Sequence, residues 1–326
     1  MRLLFVGDVM LGRQVNRMLR HVSSFYPWGD TLTLFEQADV RIANLECALS
    51  DRGDPWSATP KIFHFRSDAK NVGVLKAAQM TAVSLANNHS LDFGYEALDD
   101  TLDILHAAGI FSAGFGRKKS EAQQPILWEV QNIKLGLIAF TDNQPEWEAT
   151  EQQAGIYYVP VNLQDERAQE LFALISQTRA LVDLLIIAAH WGPNWGYAPA
   201  PEHIPFAHAL IDHGADVLFG HSGHVVRGIE LYRHRPILYC TGDFIDDYAI
   251  DPTERNDLSF LFMLEMDGRQ MTRLLLYPTI IQDYQARRAQ GTDRERSVGT
   301  MRRLCTALNT VTTWNAQEGH LEIALV

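Results

Sequence analysis

At 326 residues and a net charge of −12, the chain is long enough to bury one large core and too acidic to follow a phosphate backbone. Hydrophobic residues make up 46% and charged residues 21%, which excludes wholesale disorder, and no basic stripe with interleaved aromatics points to nucleic acid. Cys47, Cys240 and Cys305 stand far apart in no ligand spacing, and the apolar start runs straight into Gly7-Asp8, so the sequence reads as a reduced, cytoplasmic protein with no export signal or membrane anchor.

Leu3 to Val6 reads as a buried first strand, followed by a turn carrying Asp8 and a helix from Gly12 with Val15, Met18 and Leu19 on one face. Asp39–Leu45 is a second strand ending at Glu46, and a polar loop runs from Ser50 to Thr59. Ser67 is expected to cap a helix that continues through Ala78. Thr81–Ala86 forms a third strand and delivers Asn87, Asn88 and His89. Tyr95–Ala108 carries Leu98, Leu102 and Leu105 on one helical face, with Gly109 to end it. Strands follow at Ile110–Ser112, Ile126–Val130 and Lys134–Phe140, then a helix from about Asp165 to Ala180. The apolar run Leu184–Ala189 stops at His190, and a helix spans Glu202–Asp212. Val217–Phe219 then halts at Gly220 and presents His221 and His224.

Beyond this point the pattern is β, at Val225–Leu231, Pro236–Cys240, Ser259–Glu265 and Thr272–Tyr277. The charged run Arg287–Arg303 reads as a surface helix and His320–Val326 as a last strand. With no repeat and no linker, residues 1–285 form one domain, and residues 286–326 are its C-terminal helix and strand extension.

One strand after another ends in a donor: Asp8, Glu46, Asn88 with His89, His190, then His221 with His224. In an open α/β sheet such ends share a rim, which gathers scattered residues into one cluster. Carboxylate, amide and imidazole together suit one or two divalent transition metals, Mn, Fe or Zn, better than calcium. A carboxylate such as Glu46 can bridge two ions, and two ions can clamp the attacking and leaving oxygens of a hydrolysis. Arg13 offers a bidentate fork for an anionic group, or is a surface arginine. Trp191 and Trp195 follow His190 in a Pro- and Gly-rich loop, which suits a cleft wall or packing against a neighbouring loop.

GDVMLGR at Gly7–Arg13, NLE at Asn44–Glu46, ANNHSLDFG at Ala86–Gly94, HWG at His190–Gly192, GADVLFGHSGHV at Gly214–Val225 and YCTGDF at Tyr239–Phe244 occur in the order seen in CapA-like proteins. The chain thereby resembles the poly-γ-glutamate capsule synthesis family of the calcineurin-like metallophosphatase superfamily. The resemblance implies an α/β fold built as a four-layer α/β/β/α sandwich. By position it makes Asp8 a ligand of the first metal, Glu46 the bridge, and Asn88 and His190 ligands of the second, with His221 and His224 completing the shells. His89 would stand beside the metals as general acid or base, with Asp92 three residues on to fix its tautomer.

The chain departs from the family pattern in three places. Met10 stands where such phosphatases have the histidine of Asp-x-His; His221 and His224 are spaced by three instead of two, which leaves their assignment to ions open; and Asp243 replaces an asparagine, adding a carboxylate on the substrate side. The leading expectation is a hydrolase of a phosphoester or a peptide or γ-glutamyl substrate, in which a metal-bound hydroxide attacks. A peptide epimerase at the same site and a non-catalytic subunit of polymer synthesis are the alternatives. A small-molecule or peptide substrate is the expected partner, with neither nucleic acid nor membrane.

Overall fold

Alternation along the first strand, Arg2–Val9, sets the layering. Leu3 and Phe5 face one way, Leu4 and Val6 the other, and all four are completely buried, so this strand needs a partner layer on each face. The computed structural model, which describes residues 1–325, supplies both.

A ten-stranded sheet runs in the order Thr313–Asn315, His320–Ala324, Gln270–Gln282, Leu258–Asp267, Arg2–Val9, Val40–Leu45, Ala82–Ser84 and Phe111–Ala113, with Asp243–Ile245 also paired to Arg2–Val9 and Gln285–Arg288 to Gln270–Gln282. Arg2–Val9 and the three strands after it in that order are parallel. A six-stranded sheet has the order Ile229–Tyr232, Arg235–Leu238, Val217–His221, Leu184–His190, Ile133–Thr141 and Ile126–Val130. Its centre is also parallel, since Leu184–His190 pairs in parallel with both neighbours.

The sheets stack face to face through Leu3, Phe5 and Ile42 against Ile186, Val217 and Phe219. The Phe5 and Phe219 ring centroids lie 5.3 Å apart. On the far side of the first sheet, Leu4 and Val6 meet Trp28, Phe35, Leu98 and Leu105 from the helical layer. On the far side of the second, Ile187, Ala189 and Leu218 meet Leu171, Phe206 and Leu210. The result is the expected α/β/β/α sandwich. Asp165 caps the helix Glu166–Arg179 by accepting the Arg167 N–H at 2.9 Å.

Three local expectations change. Ser67 does not cap a helix: it lies in the two-residue strand Arg66–Ser67, and the helical turn begins beyond it at Ala69. The strand read as Val225–Leu231 is Ile229–Tyr232, and of the preceding residues Val226 makes only an isolated bridge to Thr241. Arg287 belongs to the strand Gln285–Arg288, and the helix spans Gly291–Ala307. The final strand is His320–Ala324, and Val326 lies outside the described residues. The segment 286–326 thus adds strands to the same ten-stranded sheet. Among the described residues no helix is long and apolar enough to cross a membrane.

Candidate metal centre and cleft

Register brings the donors together. In the first sheet Asp8 is paired with Asn44, and in the second His190 is paired with His221. Partners in a parallel ladder share a face, so each sheet offers two polar side chains at its C-terminal rim. Asn44 Nδ2 donates to Asp8 Oδ1 at 2.7 Å and lies 3.4 Å from His190 Nδ1. His190 Nδ1 is 2.8 Å from His221 Nδ1, which is 3.9 Å from Asp8 Oδ1. Donor atoms of Asp8, His190 and His221 all fall within 4.8 Å of one another.

Electrostatically this trio calls for a cation. Burial pushes the Asp8 carboxyl up to about 7, against the pull of its Asn44 hydrogen bond. Burial, then the neighbouring Asp8, raise Glu46 well above the usual carboxylate range. Burial pushes His221 down to about 3, and burial with the adjacent His221 drives His190 well below its ordinary value. In each case burial is the leading cause, disfavouring the charged form of carboxyl and imidazole alike. Asp8 Oδ2 and His221 Nε2 are buried without a partner. A divalent ion would draw the two carboxyls back down and take the imidazole nitrogens in the neutral form they already have, so the residues fit a transition metal.

The backbone is shaped to deliver them. A Cβ on Gly7 would lie 1.8 Å from Gly242 O, so only glycine lets Arg2–Val9 approach Asp243–Ile245 closely enough for the Asp8 N–H to bond Gly242 O at 3.0 Å. Ser222 has φ +97, rare for a residue with a side chain, and this turn aims its N–H at the Asp8 carboxylate.

Beside the trio, with Asn88 in its wall, lies a cleft of about 530 Å³. Glu46, Asn88, His89 and His224 line it, together with Arg13, Lys61 and Trp195. Asn88 Oδ1 lies 2.9 Å from His190 Nε2. His89 stacks on Phe65 at 3.9 Å between centroids, with Nδ1 2.6 Å from Asp92 Oδ2 and Nε2 3.9 Å from Glu46 Oε1. Burial, then the nearby Lys61 ammonium, hold His89 below its ordinary value, while burial pushes Asp92 up to about 7. Tyr248 donates its hydroxyl to Glu46 Oε2 at 3.2 Å.

Residues 2–248 match the family of bacterial capsule synthesis proteins, PGA_cap. The chain belongs to this family. A PGA_cap relative from Mycobacterium tuberculosis, named "Probable polyglutamine synthesis accessory protein", is 33% identical and covers 91% of this chain and 89% of its own. The PGA biosynthesis protein CapA of Bacillus subtilis is 27% identical, over 74% of this chain and 62% of that one. In fold, the chain superposes on a Staphylococcus aureus structure titled "Putative 5'-Nucleotidase", with a TM-score of 0.51 and 13% identity over 93% of this chain and 57% of that one. The PGA_cap sandwich is thus metallophosphatase-like.

Within this PGA_cap site, Asp8, His190 and His221 form the tight cluster, with Asn88 against His190 and Glu46 in the cleft wall. His224 stays outside the cluster, its Nδ1 3.1 Å from Asp243 Oδ1. Two residues expected on the substrate side are not there. Trp191 is fully buried in the outer core, its Nε1 donating to Tyr239 O at 2.9 Å, because its strand ends facing the helical layer. Asp243 is also fully buried and turned onto His224. Trp195, 44% exposed, does line the cleft. Arg13 does too, its guanidinium 5.7 Å from the Phe63 and Phe65 ring centroids and its Nε 3.3 Å from Asp247. Met10 turns its sulfur to accept the Gly12 N–H at 3.0 Å, away from the centre.

Sequence reasoning missed Lys61 and Asn87. Lys61 Nζ donates to Asn88 O at 2.6 Å and lies 3.3 Å from Asp92 Oδ1, so it braces two cleft residues at once. Nothing in its loop marks it, since it lies at no strand end. Asn87 donates to Asn44 Oδ1 and Leu45 O and accepts the His89 N–H at 2.9 Å, tying two strand ends into one knot. Its place directly before Asn88-His89 was the available signal.

Proposed function

We propose that the chain is a metal-dependent hydrolase acting on a phosphoester or on a peptide or γ-glutamyl bond of a small-molecule or peptide substrate. The observation that carries this reading is a buried cation-seeking trio, Asp8, His190 and His221, packed behind Asn88, which touches His190 and lines the same cleft as His89. A divalent ion held by these residues would supply Lewis acidity, with Mn, Fe and Zn all compatible with the donors. The chain supplies the rest. Asp92 fixes the proton of His89 on Nδ1, leaving Nε2 to move a proton at the substrate. Phe65 covers the imidazole face and keeps water from it, and Arg13 offers a cation at the cleft rim. Three free, buried cysteines support a reducing, cytoplasmic setting.

Peptide epimerisation at the same site is the second reading. It draws on the presence of a second cleft-lining imidazole, His224, since inversion at carbon needs two proton-transfer groups. Metal content, measured with turnover of phosphodiester, γ-glutamyl and peptide substrates, tests the first reading: a metal-loaded protein that cleaves none of them overturns it. Incubation in deuterated water separates the two, because deuterium gained at Cα without cleavage supports epimerisation alone.

A further inference from the structure

Two large apolar side chains adjacent in the chain, Ile62 and Phe63, stand 88% and 57% exposed on the wall of the cleft. They belong to the loop between Ala48–Leu49 and Arg66–Ser67, whereas Trp195, also exposed, lines the same cleft from the loop after Leu184–His190. Apolar exposure on two loops around one cavity marks a ligand surface. Asn194 adds a side-chain amide to the wall, which can both donate to and accept from a peptide group.

Arg13 is built into this wall. Its φ of +51 is rare for a long side chain, and the buried Asp247 carboxylate holds the turn: it accepts the Gln14 N–H at 2.8 Å and stands 3.3 Å from Arg13 Nε. With Nε turned to Asp247, the two terminal nitrogens remain as a fork for an anion. The Phe63 and Phe65 rings, each 5.7 Å from the guanidinium, set that fork beside apolar surface. Lys61, the other cation of the cleft, is engaged by Asp92 and by Asn88 O, and its side chain is nearly buried. Among the described residues of the wall, Arg13 is therefore the free cation.

We infer that the substrate is a peptide carrying a large apolar side chain beside a single carboxylate, with Arg13 receiving the carboxylate and Ile62, Phe63 and Trp195 the apolar group. The inference names the substrate class of the hydrolase proposed above and rests on that reading. A γ-glutamyl polymer fits the wall poorly. Each of its units brings a carboxylate, Arg13 pairs with one, and the others lose water against Ile62, Phe63 and Trp195 without gaining a partner. The single carboxylate has two sources, a chain terminus or an acidic side chain, and either presents the same group to the fork.

Isothermal titration calorimetry of wild type, Arg13→Gln and Phe63→Ser, each with and without manganese, tests this. The probes are N-acetyl-alanyl-phenylalanine, its amide, N-acetyl-glutamyl-phenylalanine amide and tetra-γ-glutamate. Wild type is expected to bind one of the two carboxylate-bearing phenylalanine peptides about tenfold more tightly than the neutral amide or tetra-γ-glutamate, and the one it prefers identifies the source of the carboxylate. Arg13→Gln removes this advantage and leaves the neutral amide within about twofold of its wild-type affinity. Phe63→Ser weakens every phenylalanine probe about fivefold. Because Phe63 is exposed, its variant tests the inference whether or not Arg13→Gln folds. Tetra-γ-glutamate bound as tightly as the peptides, no binding of any phenylalanine probe, or wild-type affinities in Phe63→Ser or in folded Arg13→Gln would each overturn the inference. Bound peptide that the manganese-loaded protein leaves uncut, as chromatography would show, defeats the hydrolase reading and leaves the preference standing.

Discussion

At Asp8 burial outweighs the hydrogen bonds that favour the carboxylate. Its folded value of about 7 lies above the ordinary 3.8, so the folded chain keeps a proton that the unfolded chain has released. That contribution to the stability of the metal-free chain is complete below 3.8 and is lost as pH rises through about 7. A cation must displace this proton, whereas His221, pushed down to about 3, is already neutral and does not compete. The gain in melting temperature on adding manganese is therefore expected to be small near about pH 5 and largest above about pH 7.5, read by differential scanning calorimetry. A gain independent of pH would show that Asp8 is not a ligand. At Ser222 the φ of +97 stores strain. Ser222→Gly is expected to stabilise the fold by about 1 kcal/mol in a denaturant titration, since relief of strain exceeds the entropy cost of glycine. His89→Ala should leave the melting temperature of the loaded protein within a few degrees and lower kcat by about 100-fold or more.

Strand ends were the legible elements. Asp8, His190 and His221 each follow an apolar run of the right length, and parallel pairing sets them at the C-terminal rim of their own sheets. Trp191 was misread because neighbours on a strand end point to opposite faces, and a sequence does not say which face is the cleft. His190 points to the centre, so Trp191 points to the helices. Lys61 was invisible for another reason: its loop has no periodicity, and its partners Asp92 and Asn88 lie about thirty residues away in the chain. Ser67 misled because a capping residue type also serves a short strand. Gly7 tests how closely the elements are set. Gly7→Ala would drive a methyl into Gly242 O and part Arg2–Val9 from Asp243–Ile245. A loss of about 3 kcal/mol or more is expected from chemical denaturation, with manganese affinity falling at the same time. A variant as stable as wild type would mean that the two strands can separate without cost.

Across the whole molecule, the four layers were implied by the family resemblance that the order of blocks carries. The extent of the first sheet was not. Residues 286–326 read as a helix and strand extension, but the partner of that strand was not legible: His320–Ala324 pairs with Gln270–Gln282 through Leu321 and Ile323, both fully buried in the core between the sheets. Antiparallel pairing at such sequence distance leaves no local signature. A chain cut before residue 286 is therefore expected to aggregate or unfold although every candidate ligand is present, as size-exclusion chromatography would report.

Asp8 belongs to one sheet, and His190 with His221 to the other. Anything that grips all three is a rivet through the middle of the sandwich, placed where the slabs would otherwise slide or gape. Chelation should then loosen the two rims together: amide hydrogen exchange near Val9 and near Phe219 is expected to quicken in step when the metal is stripped, while the far edges keep their pace.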